Sequence, residues 1–115
     1  AQELGQRGEE IACQYLEKKG YKILVRGFRY RRVEIDLIAR QGSSLVFIEV
    51  KTRRHNDFGY PEEAVNNLKM RNLKAAASAF LNQSKEKFKE CRFDILSITY
   101  RTQKDYQIDH FEDAF

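Results

Sequence analysis

Two apolar runs, VEIDLIAR (33–40) and LVFIEVKTR (45–53), are separated by only four residues, QGSS. That spacing leaves little besides an antiparallel hairpin, because parallel neighbours need a crossover of about a dozen residues or more. In the first run Val33, Ile35 and Leu37 alternate with Glu34, Asp36 and Ile38. The second opens as a continuous apolar stretch, the pattern of a strand covered on both faces. It then carries Glu49 and Lys51 into the same buried setting. Each ion taken out of water costs several kcal/mol unless something compensates it. The hairpin therefore belongs to a core, and its charges need a reason.

The remaining elements assemble around that hairpin. Leu4, Ile11, Tyr15 and Leu16 fall at roughly helical spacing over 3–19, and Gly20 supplies a stop. YKILVRGFRY (21–30) reads as a strand. RHNDFGY (54–60) reads as a loop, after which Pro61 opens a long helix with Glu62 and Glu63 in its first turn. Val65, Leu68, Leu73, Ala76, Ala77, Phe80 and Leu81 are the expected apolar face of that helix. KEKFKE (85–90) is a solvated helix end or loop, CRFDILSITY (91–100) a fourth strand and YQIDHF (106–111) a short fifth. The order α-β-β-β-α-β-β implies an α/β layered domain with a central mixed sheet flanked by helices. Its first three strands are antiparallel, and the crossover helix allows one parallel pairing.

At 115 residues the chain is expected to form a single domain over 1–115, large enough for its own core. Cys13 and Cys91 are isolated and lack zinc-type spacing, which points to a reducing, cytoplasmic setting. No apolar stretch approaches a membrane span, and the start is polar rather than signal-like. A chain that begins with Ala1 is expected to be processed or trimmed. The net charge of +4 is uneven: 21–40 carry six Lys/Arg against Glu34 and Asp36, whereas 91–115 carry three against five acids. A basic stripe of this kind fits a polyanion.

Alternation puts Glu49 and Lys51 on one face of their strand, and Glu34 and Asp36 on one face of theirs. Pairing outward from QGSS brings Asp36 or Ile38 opposite the region of Glu49. Two or three acids with one lysine are not self-neutral, and a divalent cation would balance them. Oxygen ligands from Asp36, Glu49 and the Val50 carbonyl suit Mg²⁺ or Mn²⁺. Such an ion polarises a phosphate and acidifies a bound water, which Lys51 would orient. That is the chemistry of phosphodiester cleavage. The plainer account of Glu49 and Lys51 is a pair of cross-strand ion pairs at a solvated strand end.

Asp36 followed by Glu49-Val50-Lys51 resembles the PD-(D/E)-x-K signature of restriction-endonuclease-like nucleases. More closely, the chain resembles the YraN family of small bacterial proteins, which is distantly similar to archaeal Holliday junction resolvases. GEEIACQYLEKKGYKIL, EIDLIA, LVFIEVKTR, FGYPEEAV, RFDIL and IDHFEDAF carry the match. Val65, Lys69 and Leu73 match spaced positions on the long helix. The resemblance implies a restriction-endonuclease-like fold and a Mg²⁺- or Mn²⁺-dependent DNA endonuclease, with branched DNA among the substrates. It adds Glu9 to the catalytic group of Asp36, Glu49 and Lys51, as a further candidate metal ligand. It casts Glu34 as an outer acid, or merely as a strand-end charge. Resolvases act as dimers because two cuts need two sites, so a homodimer is open. Two positions depart from the family pattern: Val33 stands where a glycine is usual, and Gly27 where an asparagine is expected.

RGFRYRR (26–32) interleaves arginines with Phe28 and Tyr30, a mix that can grip phosphates and stack bases. Arg29, Arg31, Arg53 and Lys69 are the candidate nucleic-acid contacts, each also readable as a solvated cation. His55 and His110 read as hydrogen-bonded structural residues, and Asp94 as a partner of Arg92 or the sheet edge. Two rival functions stay open: a nucleic-acid-binding module of the same fold without turnover, and a protein-interaction domain.

Overall fold

In the computed structural model, residues 2–55 and 67–114 are described, with side chains from Arg7 onward. Pro61, Glu62, Glu63, Val65 and Phe115, most of the 54–60 loop and the Leu4 side chain lie outside the described residues. The chain runs α1 (Gln2–Lys18), β1 (Lys22–Tyr30), β2 (Val33–Gln41), β3 (Ser44–Arg54), α2 (Asn67–Gln83), β4 (Glu90–Tyr100) and β5 (Tyr106–Phe111). One five-stranded sheet holds the strands in the order β1-β2-β3-β4-β5. The β1–β2, β2–β3 and β4–β5 pairs are antiparallel and β3–β4 is parallel. This is the α-β-β-β-α-β-β order and mixed sheet expected of a restriction-endonuclease-like core.

The sheet is covered on both faces. On one, α1 lays Ile11, Ala12, Cys13 and Leu16 against Leu37, Ala39, Val46, Ile48, Leu96 and Ile98. On the other, α2 lays Leu73, Ala76, Ala77 and Phe80 against Ile35, Ile38, Leu45 and Phe47. Burial on both sides explains why LVFI is uninterrupted. It also explains why Ile38 is as buried as Leu37, where simple alternation would have exposed it. Gly20 ends α1 with φ +90, and the Tyr21 N–H returns to the Leu16 carbonyl at 3.0 Å. No helix is long and apolar enough to cross a membrane among the described residues.

Two expected members of the α2 apolar face are instead exposed: Leu68 at 64% and Leu81 at 36%. The stripe that packs, Leu73-Ala76-Ala77-Phe80, follows i, i+3, i+4, i+7. Leu68 lies about 140° round the helix from Leu73, well off that line, whereas Leu81, at i+8 from Leu73, sits at its edge in the last turn.

The hairpin also departs from regular alternation. Leu37 packs on the α1 side, yet Ile35, two residues earlier, packs on the α2 side. The strand therefore turns over at Asp36. Opposite it, Gly27 has φ +68, a conformation that glycine adopts freely and asparagine tolerates. The Gly27 departure from the family pattern is thus conformationally conservative. The β2–β3 ladder ends at Leu37↔Ile48, and beyond it the two strands part.

Candidate functional site

The site occupies the mouth where β2 and β3 separate. A strand end that leaves its ladder must satisfy its backbone groups some other way. Asp36 does this: its Oδ2 accepts a 2.8 Å hydrogen bond from the Val50 N–H. Residues exchanging ladder bonds direct N–H and C=O to the same edge, so the Val50 carbonyl also faces the opening.

Glu9 of α1, Glu34 and Asp36 of β2 meet at this mouth. One carboxylate oxygen from each lies within 4.8 Å of the other two. Gly8 brings the helix close enough, since a Cβ on it would stand 2.2 Å from Thr52 Cγ2 of β3. Arg29, the cross-strand partner of Glu34, is ion-paired with it at 3.0 Å. Arg26 is occupied by Glu10 at 2.9 Å.

Glu49 lies on the α2 side, near enough that its charge raises Asp36. Its side chain is 13% exposed, and its Oε1 takes Lys69 Nζ at 2.8 Å and Lys51 Nζ at 3.2 Å. Two ammonium groups thus converge on one carboxylate. The reading from the hairpin alone paired Asp36 with Glu49 as metal ligands. In the structure Glu9, Glu34 and Asp36 bring one carboxylate oxygen each within 4.8 Å of one another, and Glu49, whose charge also raises Asp36, binds the two lysines beside them.

Protonation follows from this geometry. Burial pushes the Asp36 carboxyl up to about 6, helped by the charges of Glu49, Glu9 and Glu34 and opposed by the Val50 N–H. Burial and then the Glu34 charge raise Glu9, with Arg26 opposing. Burial pulls the Lys69 ammonium down, but its hydrogen bond to Glu49 and the charge of Glu49 outweigh that, and the net direction is up. The trio is short of positive charge where the lysine half is not. Donors that are all carboxylate or carbonyl oxygens match a hard divalent cation such as Mg²⁺ or Mn²⁺.

The remaining candidates are dispersed. Arg31 closes the β1–β2 turn with φ 58, its guanidinium 5.2 Å from the Tyr30 ring centroid. Arg53 lies on β3 opposite Thr99 of β4, and the His55 N–H donates to the Tyr100 carbonyl at 2.9 Å. A second polar cluster sits on the α1 side, toward the β4–β5 edge. There the fully buried Asp94 receives Arg92 at 3.0 Å, His110 at 2.7 Å and the Asp113 N–H at 3.0 Å. Burial pushes the Asp94 carboxyl up, but His110, Arg92 and the Asp113 N–H outweigh it and hold it below the usual range. This cluster ties β5 to β4, the structural role expected of His110 and of Asp94.

Comparison with known proteins places the chain. A model of "Uncharacterised protein family UPF0102" matches residues 8–98. A UPF0102 protein of Syntrophomonas wolfei is 50% identical over 113 residues, covering 98% of this chain and 97% of the relative. One from Chlorobium phaeobacteroides is 44% identical over 117 residues, covering 97% and 92%. One from Geobacter sulfurreducens is 43% identical over 112 residues, covering 97% and 88%. The matched stretch includes Glu9, Glu34, Asp36, Glu49, Lys51 and Lys69. The chain belongs to the UPF0102 family, the YraN family that its motifs resemble.

Proposed function

We propose that this protein is a metal-dependent endonuclease that hydrolyses phosphodiester bonds in DNA, with branched DNA the first substrate class to test. The observation that carries the reading is the convergence of Glu9, Glu34 and Asp36 within 4.8 Å, beside a lysine pair held by Glu49. Glu9, Glu34 and Asp36, with the Val50 carbonyl, would hold Mg²⁺ or Mn²⁺. Bound there, such an ion supplies Lewis-acid polarisation of the phosphate and a more acidic water.

The chain's own residues do the rest. The Val50 N–H fixes the Asp36 carboxylate in place. Glu49 holds Lys51 and Lys69 at the edge of the acid group, so that two cations face the position of a phosphate. Those ammonium groups offset charge that builds on the phosphate oxygens, and Lys51 orients the attacking water. Arg31 and Arg53 supply backbone contacts away from the cut, and Arg29, paired with Glu34, supplies one at its edge.

The rival is a binding module without turnover, favoured by the engagement of both lysines with Glu49, as in a purely structural network. Incubation with Mn²⁺ and a panel of linear, flap and four-way DNA decides between them, with Lys51→Ala and Asp36→Asn as controls. Cleavage that both substitutions abolish supports the nuclease. Salt-dependent binding without cleavage in Mn²⁺ or Mg²⁺ supports the rival.

A further inference from the structure

A cavity of about 330 Å³ opens between the β1–β2 turn and the first turns of α2. Two of its lining residues, Glu34 and Lys69, are also members of the site, so the cavity and the site are continuous. Its apolar surface comes from Val33, Leu68 and Leu73. Leu68 is the most exposed of the large apolar side chains among the described residues, at 64%. A lone exposed leucine means little. One that lines a cavity contiguous with a charged site offers a contact surface. Asn72 adds an amide, which both donates and accepts, and Arg32 adds a cation from the turn.

We infer that this cavity receives one unpaired nucleobase of the DNA, next to the phosphate that Lys51 and Lys69 face beside the acid trio. The inference rests on the nuclease reading of that trio. The volume lies at the small end of the range for ligand sites, about 300–1,000 Å³, and suits a single heterocycle better than a strand. An apolar wall covers the face of a base, the Asn72 amide meets its edge, and Arg32 meets the neighbouring phosphate. A base stacked inside a duplex does not reach such a cavity, and one that is unpaired or extruded does so at low cost. The protein then selects DNA with an unpaired nucleotide beside the scissile phosphate, as at a flap or a branch point, over continuous duplex.

Binding is measured by fluorescence anisotropy in EDTA on flap DNA, with an abasic nucleotide placed in turn at each of three positions flanking the branch. Cleavage of the same set is followed in Mn²⁺. The expected result is a roughly tenfold weaker Kd at one abasic position, the order of a single base contact. Leu68→Ala and Asn72→Ala should bring the unmodified flap to that same level while leaving the abasic one unchanged. A 2-aminopurine at that position should change its fluorescence on binding wild type and not on binding either variant. Circular dichroism confirms that the variants are folded. Cleavage with equal Kd at every abasic position overturns the cavity and leaves the nuclease reading intact. Base-dependent binding without cleavage in Mn²⁺ or Mg²⁺ leaves the cavity intact and overturns the nuclease reading. Absence of binding in EDTA together with absence of cleavage in Mn²⁺ overturns both.

Discussion

Asp36→Asn should make the metal-free protein more stable. Burial and three neighbouring carboxylates raise the Asp36 carboxyl from 3.8 to about 6. At about 1.4 kcal/mol per pH unit, that rise makes the ionised side chain about 3 kcal/mol worse in the folded state than the neutral one. The sign follows from linkage. A folded pKa raised above the unfolded one gives stability that is fully present below about pH 4 and lost as pH rises through about 6. An asparagine keeps the oxygen that accepts the Val50 N–H at 2.8 Å and carries no charge. The variant should therefore exceed wild type by about 2–3 kcal/mol at pH 7.5, and by almost nothing at pH 4. Urea denaturation followed by circular dichroism in EDTA measures this, and taking the difference cancels other carboxylates common to both proteins. Mn²⁺ at about a hundred times its Kd should then stabilise wild type by about 2.7 kcal/mol and the variant much less. A variant no more stable than wild type at pH 7.5 in EDTA would refute the claim that this acid is held at electrostatic cost. So would a difference that does not change with pH.

Gly8→Ala gains about 1 kcal/mol of helix propensity but drives a methyl to 2.2 Å from Thr52 Cγ2, an overpacking worth about 1–3 kcal/mol. Chemical denaturation should show a net loss that Thr52→Ala converts to a gain, with a coupling energy of about 1–2 kcal/mol; simple additivity would contradict the close approach. Asp94→Asn removes the carboxylate shared by Arg92 and His110, and thermal melts should register a loss of about 3–5 kcal/mol. Because the Asp94 carboxyl is held low, its contribution is present above its unfolded pKa and lost as pH falls through the folded one. The gap between wild type and Asp94→Asn should therefore narrow in acid. Glu49→Gln leaves Lys51 and Lys69 facing each other without their shared carboxylate, so cleavage should fall at least tenfold while duplex-binding strength holds or rises.

The sheet was legible because its constraints are local. Four residues between two apolar runs force a hairpin, and a helical stretch before a fourth strand permits the parallel β3–β4 pair. The helix stop was equally local, since Gly20 is where a left-handed residue is required. The site was legible to the level of its strands and of Asp36, Glu49 and Lys51 as neighbours there, while the facing of each side chain was not. Period-two reasoning assumes an unbroken strand, but β2 turns over at Asp36, so its side chain serves the Val50 N–H. Glu9 was available only through family resemblance, because nothing local separates it from Glu10, which turns to Arg26. Lys69 lies twenty residues from Glu49 across a crossover, and the Asp94–His110 contact joins two strands. Leu68 was misplaced because an apolar residue near a helix start scores as core whether or not it lies on the packed stripe.

The arrangement of charge separates a site from a structural network by its economy. A network built for stability pairs its acids and bases, because an uncompensated buried carboxylate is a loss. Here the pairing is lopsided. Glu49 receives two lysines, while the Glu9–Glu34–Asp36 trio has one exposed arginine, Arg29, bound to its outermost member. Lys69 is near enough for the charge of Asp36 to reach it, yet both lysines are ion-paired with Glu49. The result is a carboxylate trio with a lysine-bound Glu49 beside it. A divalent cation satisfies the trio. Carboxylate charge left unbalanced beside a pair of lysines, and complementary to a divalent cation, is held there at a cost that the raised Asp36 carboxyl registers.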